Sequence, residues 1–225
     1  MEAMVHETPE EVAEAAARRV ADLLATSTDR FSFGLAGGST PEATYKELRG
    51  RASGWDRVDA WLSDERWVPP DHARSNGRMA ASALFDHVDA VFHRPKWNEL
   101  IEPEDSAAHY EAQLRSIHGG GPPDVVLLGV GEDGHTASLF PGTPALSEPG
   151  RWYVANHVPS LDENRLTATF TLLWRARLLI VLAVGVSKAP AVRASFEGTT
   201  PAGRLGDGRA EVEWYLDRDA ASLLG

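Results

Sequence analysis

Apolar residues gather into short runs at 31–36, 58–62, 124–130 and 178–184. The last two are almost continuous, the pattern of parallel strands buried on both faces. Shorter runs at 152–156, 166–171 and 213–216 predict more peripheral strands. Helical patterns lie between the runs. Thr8-Pro9-Glu10-Glu11 reads as a capping box with proline at the first helical position, followed by Val12, Ala16, Val20 and Leu23 on one face. Further helices are expected over about 41–50, 75–87, 104–118, 187–196 and 217–224. Alternating strands and helices predict an α/β fold around a mostly parallel sheet. Gly119–Pro123 reads as a breaker before a strand, and the Gly/Arg-rich piece at 198–209 as a surface loop. With no internal repeat and no low-complexity tract, one domain over 1–225 is expected. In such sheets ligands bind beyond the carboxyl ends of the strands, so motifs that follow strands carry the most information.

Composition narrows the function classes. The 225 residues are 43% hydrophobic and 24% charged, ordinary for a globular protein. No run approaches the roughly 18–20 apolar residues of a membrane span, and the first residues do not form a basic, apolar-centred leader. A cytoplasmic protein without a membrane partner is expected. The absence of cysteine removes disulfides, thiolate nucleophiles and cysteine-based zinc sites. A net charge of −11, with no basic run to offset it, argues against a nucleic-acid partner. It would also oppose an anionic substrate, so any anion site must be built from a few local positive groups.

The run GVGEDGHT at 129–136 contains a G-x-G-x-x-G after a strong strand. A dinucleotide site also needs a long helix after the glycines and an acidic residue about twenty positions on. Here Pro141, Pro144 and Pro149 limit any helix near His135 to one or two turns, and the next strand run ends at Asn156 without a carboxylate. What remains is a tight glycine turn presenting Asp133 and His135 at the ligand edge, either as a helix cap beside a polar histidine or as catalytic groups. A second turn, Gly37-Gly38-Ser39-Thr40, leads from a strand into a helix with Ser39 or Thr40 as its expected N-cap. It reads as an ordinary capped turn or as a cradle for one phosphate. It is not a Walker A loop. Asp64 and Arg66 follow the strand at 58–62, Lys188 follows that at 178–184, and Arg165 begins that at 166–171. Beside a phosphate cradle, such basic residues become plausible partners for it. With no H-E-x-x-H, no Cys ligand pair and no G-x-S-x-G, the motifs favour a histidine base acting on water over metal hydrolysis.

In order along the chain, FGLAGGSTPEATYKEL, WLSDERWVPPDHARSN, DVVLLGVGEDGHTASLFPGTPAL, NRLTATFTLL and VLAVGVSKAPAV resemble the blocks of the 6-phosphogluconolactonase family, and the ending EVEWYLDRDAAS fits as well. The resemblance implies a Rossmann-like fold shared with glucosamine-6-phosphate deaminases. It implies three α/β/α layers and hydrolysis of a small sugar-phosphate lactone, 6-phospho-D-glucono-1,5-lactone, without a metal or organic cofactor. It puts the family's water-activating histidine on His135, its aspartate on Asp133, and its phosphate loop on Gly37, Gly38, Ser39 and Thr40. The family's basic residues fall on Arg66, Arg165 and Lys188. Two other readings keep the same pocket: a deaminase using Asp64 as proton shuttle, and a non-catalytic sugar-phosphate sensor. Sensors of that kind normally append a DNA-binding helix-turn-helix, for which the chain has neither spare length nor basic charge. Deaminases typically follow the shared histidine with an Asn-Glu-Pro step, whereas here Leu139-Phe140-Pro141 stands there, with Phe140 in place of the carboxylate.

Overall fold

The computed structural model describes residues 2–225. Along the chain lie β1 (Glu2–His6), α1 (Pro9–Thr26), β2 (Phe31–Leu35), α2 (Ser39–Arg51), β3 (Val58–Leu62), β4 (Asp64–Arg66), α3 (Asn76–Ala83) and β5 (Val91–His93). They are followed by α4 (Pro103–His118), β6 (Val125–Gly129), β7 (Tyr153–Val158), β8 (Glu163–Ala168), α5 (Phe170–Leu173), β9 (Leu178–Ala183), α6 (Ala189–Phe196) and β10 (Glu211–Asp217). Seven strands form one sheet in the order β1-β10-β9-β6-β2-β3-β5, and all its pairings are parallel. A separate antiparallel sheet runs β4-β8-β7.

The pleat explains why β6 and β9 read as unbroken apolar runs. Val125, Leu127, Leu178, Ile180 and Leu182 point into one core with α1, α2 and α3. Val126, Leu128, Leu179, Val181 and Ala183 point into the other with α4, α5 and α6. Alternate side chains thus serve opposite faces of one strand, and both faces are covered. This is the expected Rossmann-like three-layer α/β/α fold. At the start of α1 the Glu11 amide donates to Thr8 Oγ1 at 3.2 Å, as the capping pattern requires, while the Glu11 carboxylate accepts from the Glu7 amide at 2.9 Å.

Several expectations shift. The water-exposed edge strands β1 and β5 carry no long apolar run, and β4 has only three residues, so the pattern predicts none of them. The helix expected at 75–87 ends at Ala83, with a 3₁₀ turn following at Phe85–His87. The strand expected at 166–171 lies at Glu163–Ala168, because Phe170–Leu173 coils into α5. Residues 218–223 form turns and no helix; the Asp217 carboxylate accepts from the Gly185 and Ala220 amides and turns the chain locally. The segment at 198–209 is not simply a surface loop. Its 3₁₀ turn Ala202–Asp207 buries Ala202, Gly203 and Leu205, and a Cβ on Gly203 would sit 2.5 Å from the Ser195 carbonyl. Among the described residues no helix is long and apolar enough to cross a membrane.

The strand order also locates a crevice. From β2 the sheet grows through β3 to β5 on one side, and from its neighbour β6 through β9 to β10 on the other. The order reverses between β2 and β6, where open parallel sheets hold their ligands.

Candidate active site

The turn after β6 is closed by Gly134 N–H to the Gly131 carbonyl (3.0 Å) and Gly131 N–H to the His135 carbonyl (2.8 Å). Thr136 Oγ1 ties it to the Gly129 carbonyl at 2.9 Å. No helix follows His135 directly, so the reading of Asp133 as a helix cap drops out. Asp133 caps no helix; its Oδ1 accepts from the His135 amide at 3.1 Å and meets His135 Nδ1 at 2.5 Å. Burial pushes the Asp133 carboxyl upward, but the His135 amide and the imidazole outweigh it and hold the group below the usual carboxylate range. An ionised carboxylate only accepts, so Nδ1 is the donor to Asp133, and in the neutral imidazole that tautomer leaves the Nε2 lone pair free. The imidazole also stacks on Phe140, with ring centroids 3.9 Å apart and planes 22° apart.

The glycines have a spatial reason. A Cβ on Gly131 would lie 2.1 Å from His135 Nδ1 and 2.7 Å from Asp133 Oδ1. Gly134 has φ +79, and a side chain there would meet Thr200 at 2.5 Å. The motif clears space for a histidine–aspartate pair.

Across the switch point, the loop after β2 enters α2. Its N-cap is Gly38, at φ 111, with no side-chain cap, which corrects the expectation of Ser39 or Thr40. Both belong to the first turn of α2, Ser39 exposed and Thr40 half-buried. The uncapped amides of a helix N-terminus favour an anion. Gly37 is confined, since a Cβ there would overlap Asn76 Oδ1 at 1.9 Å.

The small sheet supplies the charged side chains. Asp64 on β4 is buried; its Oδ1 accepts from Asn76 Nδ2 at 3.1 Å and its Oδ2 from Ser138 Oγ at 2.7 Å. Arg66 on β4 stands directly opposite Arg165 on β8. Like charges so placed are destabilising unless something offsets them. Arg66 donates to the Arg74 carbonyl at 2.6 Å and Arg165 to Glu163 at 2.8 Å, while both Nε atoms are buried without a partner. Burial, then the neighbouring Arg66, lower the Arg165 pKa. Lys188 stands where β9 passes into α6.

These pieces meet around one cavity of about 500 Å³. Gly37, Gly38, Asp64, Arg66, Asp133, His135, Arg165 and Lys188 all line it, whereas Ser39 and Thr40 lie just outside. Sequence reasoning missed Asn76 and Ser138, which also line it and hold Asp64 from two sides. Asn76 follows the Ser75 N-cap of α3 and reads in sequence only as a helix start. Among the described residues no three His, Cys, Asp or Glu side chains converge as a metal site.

A Rossmann-like sheet whose switch point holds a histidine–aspartate pair opposite paired arginines has the make-up of an enzyme for small anionic substrates. The family model for glucosamine-6-phosphate isomerases and 6-phosphogluconolactonase matches residues 7–214, and the chain belongs to that family. It is 38% identical over 203 residues to a 6-phosphogluconolactonase of Synechocystis sp., covering 84% of this chain and 83% of the relative. The structure of 6-phosphogluconolactonase from Trypanosoma brucei superposes with a TM-score of 0.87 at 30% identity, over 100% of this chain and 98% of that one. A monomeric glucosamine-6-phosphate deaminase superposes with a TM-score of 0.84 at 29% identity, over 99% and 100%. Both branches of the family share this frame, so side chains must separate them.

Proposed function

We propose that this protein is a 6-phosphogluconolactonase, hydrolysing 6-phospho-D-glucono-1,5-lactone to 6-phosphogluconate in the oxidative pentose phosphate pathway. The observation that carries the reading is the environment of His135, held by Asp133 on one side and stacked on Phe140. A δ-lactone carbonyl is electrophilic enough to be attacked by water without a covalent enzyme intermediate. His135 Nε2 takes a proton from water as its oxygen adds to C1. The carbonyl becomes an oxyanion, stabilised by a neighbouring positive group such as Arg66. Collapse of the adduct breaks the C1–ring oxygen bond, and the imidazolium returns its proton to the departing ring oxygen. Asp133 keeps Nδ1 protonated and supports the transient positive charge. The amides of α2 with Arg165 and Lys188 anchor the phosphate, fixing the position of C1.

Phe140 favours this branch over the deaminase. A phenyl ring neither gives nor takes a proton, so the carboxylate that assists sugar-ring opening has no counterpart on that side of the imidazole. The deciding assay offers the purified protein both substrates. Acid release from the phosphorylated lactone should exceed the spontaneous rate by orders of magnitude, with no ammonia from glucosamine 6-phosphate. Stoichiometric ammonia and fructose 6-phosphate would overturn the reading.

A further inference from the structure

The antiparallel sheet β4-β8-β7 has two sides, and the cavity at His135 occupies only one. Side chains alternate along a strand. Asp64 and Arg66 on β4, with Arg165 on β8, face the cavity at His135. Glu65 and its β8 partner Leu166 face the other way and, with Trp67 just beyond the strand, line a second groove of about 390 Å³. Arg66 borders both spaces. The far wall of the groove is the segment after β5, carrying Arg94, Lys96 and Trp97.

Two features of this groove suit a ligand. Trp67 and Trp97 are half-buried and form a wedge, with ring centroids 6.3 Å apart and planes at 56°. Among the described residues, Arg66, Arg94 and Lys96 take part in no ion pair. In a chain of net charge −11, three unpaired cations around one groove stand apart from the surrounding surface. Glu65, the groove's carboxylate, offers them nothing. It is fully engaged by the Arg66, Asn76 and Gly77 amides and Ser75 Oγ at 2.7–2.9 Å. Arg94 is braced from behind, its guanidinium carbon 5.7 Å from the Phe92 ring centroid.

The geometry points to a second binding site in this groove, for a nucleoside monophosphate. The base lies against the Trp67–Trp97 wedge and the phosphate meets Arg94 and Lys96. Aromatic walls recognise a flat heterocycle, and unpaired cations at the rim recognise a phosphate. A space of a few hundred Å³ suits a ligand of that size. The site stands apart from the proposed lactonase activity and is tested by binding.

Adenosine 5′-monophosphate is the probe, titrated calorimetrically into the intact protein, with adenosine and ribose 5-phosphate as its two halves. The nucleotide should bind saturably and at least about tenfold more tightly than either half. Trp97→Ala should weaken both the nucleotide and adenosine. The exposed pair Arg94→Ala/Lys96→Ala, which leaves the wedge intact, should weaken the nucleotide alone and leave lactone hydrolysis unchanged. Lys188→Ala should not affect nucleotide binding. No saturable binding at millimolar probe would overturn the site, as would ribose 5-phosphate binding as tightly as the nucleotide. Loss of nucleotide binding in Lys188→Ala would place the probe in the cavity at His135 and overturn it equally.

Discussion

At the scale of single residues, the proposed catalysis rests on a pair of side chains and on the space that lets them meet. His135→Ala removes the proposed base while leaving the phosphate anchors in place. Turnover should fall by about two orders of magnitude or more with little change in KM, measured as acid release corrected for spontaneous hydrolysis. Gly131→Ala is a different kind of test. Its methyl group would intrude on both His135 Nδ1 and Asp133 Oδ1, so the ring must swing away although no catalytic atom has been removed. Turnover should drop at least about tenfold, with thermal unfolding changed far less than activity; a variant with normal turnover would show that the ring position is not critical. The sequence made His135 and Asp133 legible, because a strand followed by a glycine turn marks the ligand edge. It could not reveal why Gly131 and Gly134 are glycines, since the atoms they make room for are a ring folded back over the turn and the distant Thr200.

At the scale of elements, the pairing of β4 with β8 sets the proposed anion site against stability. Arg66 opposite Arg165 costs repulsion that a bound anion would relieve. Arg165→Met keeps the aliphatic stem and removes the charge. It should unfold at the same temperature as the parent or higher, while KM for the phosphorylated lactone rises at least about tenfold. Equal losses on phosphorylated and unphosphorylated lactones would instead place Arg165 at the reacting carbonyl. A second element contact sets the acid limit of stability. Glu111 on α4 receives the Trp152 amide at 2.8 Å and the side chains of Arg151 (2.6 Å) and Arg115 (2.8 Å). Burial alone would raise its pKa, but these three donors outweigh burial and lower it. The stabilisation is therefore fully present above the unfolded value of about 4.3 and disappears as pH falls through the lower folded value. Urea midpoints measured from pH 6 downward should drop in that acid window, and Glu111→Gln should flatten the drop; an identical profile would exclude Glu111 as its source. None of this pairing was legible beforehand. Three residues are too few to show a strand's period, and which charge faces which is set by register.

At the scale of the whole molecule, the central sheet was legible where it is buried and obscure where it ends. β6 and β9 announce themselves because both of their faces are covered. β1 and β5 alternate toward water and are short, so their sequences resemble loop. The helix expected at 217–224 stops after one turn: Asp217 ends β10, its carboxylate caps the Ala220 amide and its carbonyl accepts from Ala221, but the bonds beyond tighten to three-residue spacing. The cavity itself was readable as a set of post-strand motifs. That they converge depends on the reversal of strand order between β2 and β6, which local pattern does not encode.

The outermost strand has a consequence of another kind. β1 pairs along β10, from Glu2 with Glu213 to His6 with Asp217, at the far side of the sheet from β2 and β3 and away from the cavity. It acts as a cover, because without it the seven residues of β10 would present unpaired amides and carbonyls as a template for another chain. Shortening the protein by its first six residues should therefore separate two properties that usually decline together. Catalytic rate per folded molecule should persist, while light scattering at raised concentration reports growing self-association. If the shortened chain stays monodisperse, the β10 edge is protected by other means. Growing self-association would assign colloidal behaviour to the edge of the sheet and leave chemistry at its middle, between β2 and β6, each open to alteration without the other.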